Sequence, residues 1–373
     1  MKRIAIISPA HPLRGGIAAS TELLALQLMS EGHTVVIFSF SMQYPGFLFP
    51  GKTQYTDDPP LATLDIRPLI HSLNPLNWLR IGKMLKSARF DIVLARYWMP
   101  FMAPAIGTIL RIAKSNGYSR IIGLTDNFKP HEPRPGDALL NRFFTGSADA
   151  FIAMSREVEK QIREAAPGKP VAYVPHPIYN QYGPIAERED SIAHLKLPPA
   201  SGYVLFFGFI RDYKGLDILL HAMALPEIRP LNLHLIIAGE FYGNAQKYHE
   251  LIEHLRLGNS LTLFDQFIPS ADVRYYFGAA DLLVQPYRSA TQSGISQMAV
   301  HFEKPMVATA VGGLAEVIDH HKTGYIVPVH AQAVADAIHD FFVHQRAQPM
   351  TTAVRQIKDN FSWEALSKTV VSI

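Results

Sequence analysis

The chain has 373 residues, 48% of them hydrophobic and 18% charged, with a formal net charge of +3 and no cysteine. That length suits about two domains of ordinary size, and that composition can bury full cores, which excludes a disordered chain. It also excludes disulfides, cysteine–zinc sites and a cysteine nucleophile. The small net charge, without a dense Lys/Arg run interleaved with aromatics, argues against a nucleic-acid partner.

The N-terminus joins a basic start to an apolar run that stops at Ser8-Pro9. A secretory leader needs a longer apolar core and a small-residue cleavage site. The run therefore reads as a strand, Arg3 to Ser8, and the expected location is cytoplasmic, either soluble or peripheral at the inner face of the cell membrane. A helix over Ile17 to Glu31 and a strand over Thr34 to Ser39 follow. Helices at Asn77 to Ala88 and Met102 to Lys114 flank a strand at Asp91 to Ala95. The apolar run from Met99 to Leu110 is too short to span a bilayer. Strands at Arg120 to Thr125, Ala150 to Met154 and Val171 to Val174 complete the first half, with a helix ending at Ala165 between the last two. Continuous apolar strands separated by helices predict a parallel sheet covered on both faces.

Between Val174 and Ser201 prolines and charges interrupt the alternation, which marks a domain edge. The pattern then restarts, with strands at Tyr203 to Phe207, Leu233 to Ala238, Leu261 to Phe264, Leu282 to Gln285 and Met306 to Thr309. Helices are expected from Leu216, from Asn244, near Val273 and after Gly294. The reading is an α/β chain of two doubly wound, Rossmann-like domains, residues 1–183 and 190–360. Their parallel sheets are expected to face a central cleft, where a ligand binds at the carboxyl ends of the strands.

Four strand-to-helix turns carry the candidate chemistry. Gly15 and Gly16 open the first helix and allow an anion to approach its unpaired N–H groups, although a plain turn explains them equally well. They do not form a G-x-G-x-x-G, so the dinucleotide fingerprint fails. In Phe207 to Gly215, Arg211 and Lys214 stand three apart beside two glycines. A planar guanidinium and a point charge together suit a diphosphate, and a solvated basic turn is the alternative. Ser289 to Val300 places small hydroxyls, an amide and Gly294 before an apolar helix, which is either ordinary capping or another anion seat. Val311 to Glu316 repeats the strand–glycine–helix pattern.

The segment YKGLD (213–217), then IIAGE (236–240), then a strand end before a helix, then the run from Glu303 to Val327 with its VGGLAEV, resembles the nucleotide-sugar domain of family 4 glycosyltransferases, which have the GT-B fold. The likeness covers Gly202 to Phe342, while the first half fits through its Gly-Gly loop and layout. It implies retaining transfer of a sugar from a nucleoside diphosphate sugar, UDP- or GDP-linked, to a hydroxyl of a saccharide or lipid-linked acceptor, in polysaccharide or glycolipid synthesis. No cofactor or metal is required, and the absence of an Asp-x-Asp triplet agrees with that. The first domain would take the acceptor, with a helix over 361–373 packing back on it, and the second the donor.

The same resemblance places Lys214 squarely, and Arg211 from a shifted position, on the donor phosphates. Two family glutamates eight apart fall here on Ser289 and Gln297. Gln297 can still bond a ribose hydroxyl, but Ser289 supplies no carboxylate. Backbone N–H groups around Gln292, Ser293, Gly294 and Ile295 are expected to hold phosphate and sugar hydroxyls. Glu316 reads as helix support. A histidine often stands in the family where Asp126 stands here, so Asp126 is expected to bond a donor-sugar hydroxyl. His131, on the same loop as Glu132, is the expected proton carrier or else only pins the loop. His176, between two prolines, reads as a linker residue.

The stretch from Asn74 to Phe90 forms a basic amphipathic helix. Trp78, Ile81 and Leu85 share one side, which is expected to lie on an anionic membrane unless the helix is an ordinary domain helix. Three rival readings remain. A catalytically weakened binding protein of the same fold is suggested by Ser289 and Gln297. A two-domain solute receptor would normally need export. A sugar-nucleotide oxidoreductase lacks its fingerprint.

Overall fold

The structure, a computed structural model, describes residues 1–45, 53–56, 59, 61–129, 134–178, 182–290 and 293–373. The chain forms two units, Met1–Pro177 with Ser362–Ile373, and Ile178–Phe361.

In chain order the first unit contains β1 (Arg3–Ile7), α1 (Gly16–Ser30), β2 (Thr34–Met42), β3 (Asp65–His71), α2 (Pro75–Ala88), β4 (Ile92–Tyr97), α3 (Ala103–Lys114), β5 (Arg120–Thr125), α4 (Asp137–Thr145), β6 (Ala150–Ala153), α5 (Arg156–Ala165) and β7 (Val171–Tyr173). The strands form one parallel sheet in the order β3-β2-β1-β4-β5-β6-β7. Side chains alternate across it. Val93, Ala95 and Tyr97 pack with Ile81 and Leu85 of α2, Ile106 of α3 and Val158 of α5. Ile92 and Leu94 face Leu24 and Leu28 of α1 on the other side.

The second unit contains α6 (Arg188–Leu195), β8 (Gly202–Phe207), α7 (Leu216–Met223), β9 (Leu233–Ala238), α8 (Gln246–His254), β10 (Leu261–Phe264), α9 (Val273–Ala279), β11 (Leu282–Gln285), α10 (Gly294–His301), β12 (Met306–Thr309), β13 (Gly324–Val327), α11 (Ala331–Val343) and α12 (Ala347–Ile357). Its parallel sheet has the order β10-β9-β8-β11-β12-β13. The last helix, α13 (Trp363–Ser372), belongs to the first unit, where Trp363, Leu366 and Val370 complete the core beside α1. Lys2 Nζ donates to the Val371 carbonyl at 2.7 Å and ties the two ends of that unit together.

In both sheets the strand order reverses at the first strand of the unit, between β1 and β4 and between β8 and β11. Ligands of open parallel sheets bind at the carboxyl ends of the strands beside such a reversal. The turns after β1, β8 and β11 are those that carry Gly15-Gly16, Arg211 with Lys214, and Ser289 to Ser293.

The sequence reading omitted β3 and β13 and the helices α4, α6, α11 and α12, and it left α2 with two readings. The edge strand β3 was not expected, because Pro68 and charged residues at Asp65 and Arg67 interrupt its apolar run. A proline is tolerated there because an edge strand leaves part of its ladder unpaired, and the pairing with β2 shifts register just beyond the Ser39–Pro68 position. The packing of α2 decides between its two readings. Ile81 and Leu85 are buried in the core, and the Trp78 indole N–H donates to the His71 carbonyl at 2.8 Å. Of its two readings, the ordinary domain helix with a solvated basic edge is the one observed, and the Trp78, Ile81 and Leu85 side packs within the unit. The outward stripe is Leu76, 77% exposed, and Leu79, followed by Arg80, Lys83 and Lys86.

Candidate active site

In the second unit β8 runs into Gly208 and then a single 3₁₀ turn, Asp212–Lys214, before α7. Gly215, at φ +66°, closes that turn. A Cβ there would lie 2.0 Å from the Pro286 carbonyl oxygen, so no other residue lets the turn sit this close to the end of β11. Gly208, at φ +93°, leaves room for its neighbours: a Cβ on it would lie 3.1 Å from both Lys214 Nζ and Ile295 Cδ1. The Lys214 ammonium thus stands beside Gly208 and the first turn of α10, with its nitrogen 5.5 Å from the centre of the Tyr287 ring.

Lys214 is only 8% exposed, and among the described residues its ammonium has no hydrogen-bond or carboxylate partner. Burial pulls its pKa below the usual lysine value, and the charge of Arg211 adds to that. A buried, uncompensated ammonium is costly unless an anion joins it. Arg211 is half-buried, and its guanidinium lies 4.8 Å from the centre of the Tyr242 ring. That ring holds the cation by its face and leaves the guanidinium edge available for bidentate contact.

The start of α10 is braced from beneath. Ser293 is the N-cap and accepts from the Ile295 N–H at 3.2 Å. Gln285 at the end of β11 donates to Ser293 Oγ at 2.8 Å and accepts from Ser296 Oγ at 2.7 Å. Thr309 Oγ1 donates to the Tyr287 carbonyl at 2.5 Å. Gly294 and Ile295 form the first turn of this helix, whose leading N–H groups and partial positive charge favour an anion. Gln297, on the same helix, is buried, and its Oε1 has no hydrogen-bond partner among the described residues. An unsatisfied buried acceptor is worth about 1–3 kcal/mol to a ligand hydroxyl that can donate to it. Ser289 is partly exposed, and Glu316 lies exposed on the 3₁₀ turn Gly312–Val317. Gln292 falls outside the described residues.

In the first unit Gly15 and Gly16 are exposed at the start of α1. Asp126 follows β5 and is buried, with both oxygens engaged by Arg96: Nε donates at 2.7 Å and Nη2 at 2.5 Å. Arg96 Nη1 also donates to the Ile17 carbonyl at 3.2 Å and to Thr21 Oγ1 at 3.1 Å, so the pair anchors the first turns of α1. The sequence reading missed Arg96 because it ended the strand at Ala95. An arginine inside a run as apolar as β4 is itself the signal of a buried charge partner.

His176, read as a linker residue, stands next to the boundary between the two units, at Pro177. It is buried, its Nδ1–H donates to the Pro177 carbonyl at 2.7 Å, and burial together with the nearby Arg96 charge pushes its pKa down to about 4. It is therefore a neutral imidazole near pH 7. His131 falls outside the described residues. Among the described residues no cluster of three or more His, Asp or Glu is arranged to hold a metal ion.

Two family profiles match the chain: one described as Glycosyltransferase Family 4 over residues 14–181, and one described as Glycosyl transferases group 1 over residues 201–343. Among similar sequences, a D-inositol 3-phosphate glycosyltransferase of Pseudarthrobacter chlorophenolicus is 26% identical, over 68% of this chain and 62% of its own length. The chain thus spans less than two thirds of that relative. The protein of the same name from Thermobifida fusca is 26% identical, over 94% of this chain and 86% of its own length. Among solved structures, HepE of Anabaena in complex with UDP superposes with a TM-score of 0.72 at 18% identity, covering 100% of this chain and 98% of that one. HepE is also known in complex with UDP-glucose, at a TM-score of 0.71.

Proposed function

This chain belongs to glycosyltransferase family 4, and we propose that it is a retaining enzyme that moves a sugar from a UDP- or GDP-sugar to a hydroxyl of a saccharide or lipid-linked acceptor, in polysaccharide or glycolipid synthesis. The observation that carries this reading is Lys214, a buried ammonium without a hydrogen-bond or carboxylate partner among the described residues, set between Gly208 and the capped start of α10. The donor diphosphate sits there, held by Lys214, by the Arg211 edge and by the leading N–H groups of α10. Gln297 Oε1 accepts from a ribose hydroxyl. As the glycosidic bond breaks, the same cations stabilise the charge that develops on the departing phosphate. The attacking hydroxyl approaches on the face from which the phosphate leaves, and a phosphate oxygen takes its proton, so a separate general base is not required. The cationic side chains supply the charge that a metal would otherwise provide, and the reading calls for no metal. HepE binds UDP and UDP-glucose, which supports a nucleotide donor.

A thermal-shift screen with UDP-, GDP-, ADP- and CMP-sugars tests the donor. One diphosphate sugar at about a hundred times its Kd should stabilise the fold by about 2.7 kcal/mol, while the CMP-sugar, which has a single phosphate, should not. No shift with any diphosphate sugar would remove the donor site. The second reading, a weakened binder of the same fold, is favoured by Ser289 in place of a carboxylate. It predicts the same shift but neither transfer nor donor hydrolysis.

We also propose peripheral contact with an anionic membrane through the outward stripe of α2. No helix among the described residues is long and apolar enough to cross a membrane. Leu73, Leu76 and Leu79 are exposed, the basic residues Arg80, Lys83, Lys86 and Arg89 follow, and α2 contains no acidic residue. Such a face inserts its apolar end shallowly and holds anionic headgroups with the other. In flotation assays the protein should rise with phosphatidylglycerol vesicles at low salt, and replacing Lys83 and Lys86 with glutamate should abolish this. Failure of the unmodified protein to float would remove the membrane contact.

A further inference from the structure

The Lys214 turn is a single turn of 3₁₀ helix, and something must hold it against the end of β11. Among the described residues, the hydrogen bonds of Arg288, three residues beyond β11, go to that turn and its flank. Its backbone N–H donates to the Tyr213 carbonyl at 2.6 Å. Its Nη1 donates to the Asp212 carbonyl at 2.8 Å and to Asp217 Oδ1 at 2.9 Å, and its Nη2 donates to Asp217 Oδ2 at 2.5 Å. Asp217 lies in the first turn of α7, directly after Gly215. Tyr213 also packs edge-on against Tyr287, at 6.0 Å between ring centres.

The side chains of Arg288 and Asp217 are 43% and 35% exposed. An ion pair that open to water contributes little to global stability. A bidentate fork that also bonds the Asp212 carbonyl, beside a backbone N–H that bonds the Tyr213 carbonyl, serves geometry instead. Although partial burial pushes the Asp217 carboxyl up, its bonds to Arg288 hold it below the usual carboxylate range, so the pair stays charged near neutrality.

We propose that Arg288 is a positioning residue for the phosphate site: it fixes the turn Asp212–Lys214 against the β11–α10 connection, so that the Lys214 ammonium stays beside Gly208 and Ile295. Arg288 itself bonds to the turn and not to the ligand. The proposal rests on the donor reading above, in which Lys214 meets the diphosphate. A loosened turn swings the ammonium away from the phosphates while leaving the contacts to base and ribose in place, since those come from other elements.

The test measures the affinity of UDP, GDP and ADP, and of their nucleosides, by calorimetry or competition, for the wild-type protein and for Arg288→Ala, Arg288→Lys and Asp217→Asn. For the diphosphate that the wild type binds, Arg288→Ala should weaken binding roughly tenfold, as expected for a misplaced charge-assisted contact, while the matching nucleoside binds as before. Arg288→Lys and Asp217→Asn should show the same selective loss to a smaller degree, and they carry the test if Arg288→Ala fails to fold. In a Lys214→Ala background Arg288→Ala should add nothing further, because the two act through one contact. Undiminished diphosphate affinity in all three variants overturns the proposal. So does an equal loss for nucleoside and diphosphate, which would mean a general structural role. A wild-type protein that binds none of the three diphosphates overturns the donor reading and this inference with it, and only that outcome touches the donor reading.

Discussion

Replacing Lys214 with alanine should slow sugar transfer by about 10–100-fold while leaving the protein at least as stable as before. The rate loss follows from one charge-assisted hydrogen bond, worth about 1.5–3 kcal/mol, at 1.36 kcal/mol per decade. The stability follows from burial: an ammonium with no hydrogen-bond or carboxylate partner among the described residues is a cost to the empty protein, and alanine removes it. The two effects therefore have opposite signs, which a general packing defect would not produce. Steady-state kinetics with the competent donor and a denaturant titration of each protein check both.

The pH dependence of the wild type follows from the same lysine. Its pKa is lowered in the folded state, so between that value and the ordinary lysine value the unfolded chain holds a proton that the folded chain has lost. Stability of the empty protein rises with pH across that window. Diphosphate affinity falls across it, because the anion requires the charged form. Binding there takes up a proton, visible as a binding enthalpy that depends on the buffer. Unchanged turnover in Lys214→Ala would refute the phosphate role.

The largest loss of stability is expected from Asp126→Ala. It leaves Arg96, whose side chain is 3% exposed, buried without the carboxylate that takes two of its hydrogen bonds. Breaking such a pair by removing one partner costs about 3–5 kcal/mol. At about 2–4 °C per kcal/mol for a unit of this size, the first unit should melt roughly 6–20 °C lower. Exchanging both residues, Arg96→Met with Asp126→Leu, should recover much of the loss, since it removes both charges together. The experiment also decides what Asp126 does. A variant that keeps its melting temperature but loses turnover would return Asp126 to the role first expected of it, a contact to the donor sugar. A variant that loses stability makes it the anchor of Arg96 and of the first turns of α1.

Much of this architecture is legible in the residues because the strands are buried on both faces. Arg120 to Thr125 and Leu233 to Ala238 are continuous apolar runs between turn residues, and both are strands with those bounds. The edge strand Asp65–His71 escapes because Pro68 and the charged Asp65 and Arg67 interrupt its apolar run. In α2 the residues of both faces are visible in the sequence, yet periodicity gives two apolar stripes and only packing decides which one the sheet covers. The cationic residues of the second unit could be picked out because Arg211 and Lys214 follow a strand and stand beside glycines. The partnerships could not. Arg288 meets Asp217 across 71 positions and Arg96 meets Asp126 across 30, and nothing local in either segment announces its partner.

The placement of α13 has a consequence for synthesis. The seam on α1 formed by Leu24 and Leu28 is covered by Trp363, Leu366 and Val370, more than three hundred positions downstream. As the chain leaves the ribosome, the second unit has all its strands before the first has its last helix. The nascent first unit therefore waits with an apolar strip open to water, and a chain cut short before Trp363 would keep that strip exposed, as a place for chaperones or aggregation to act.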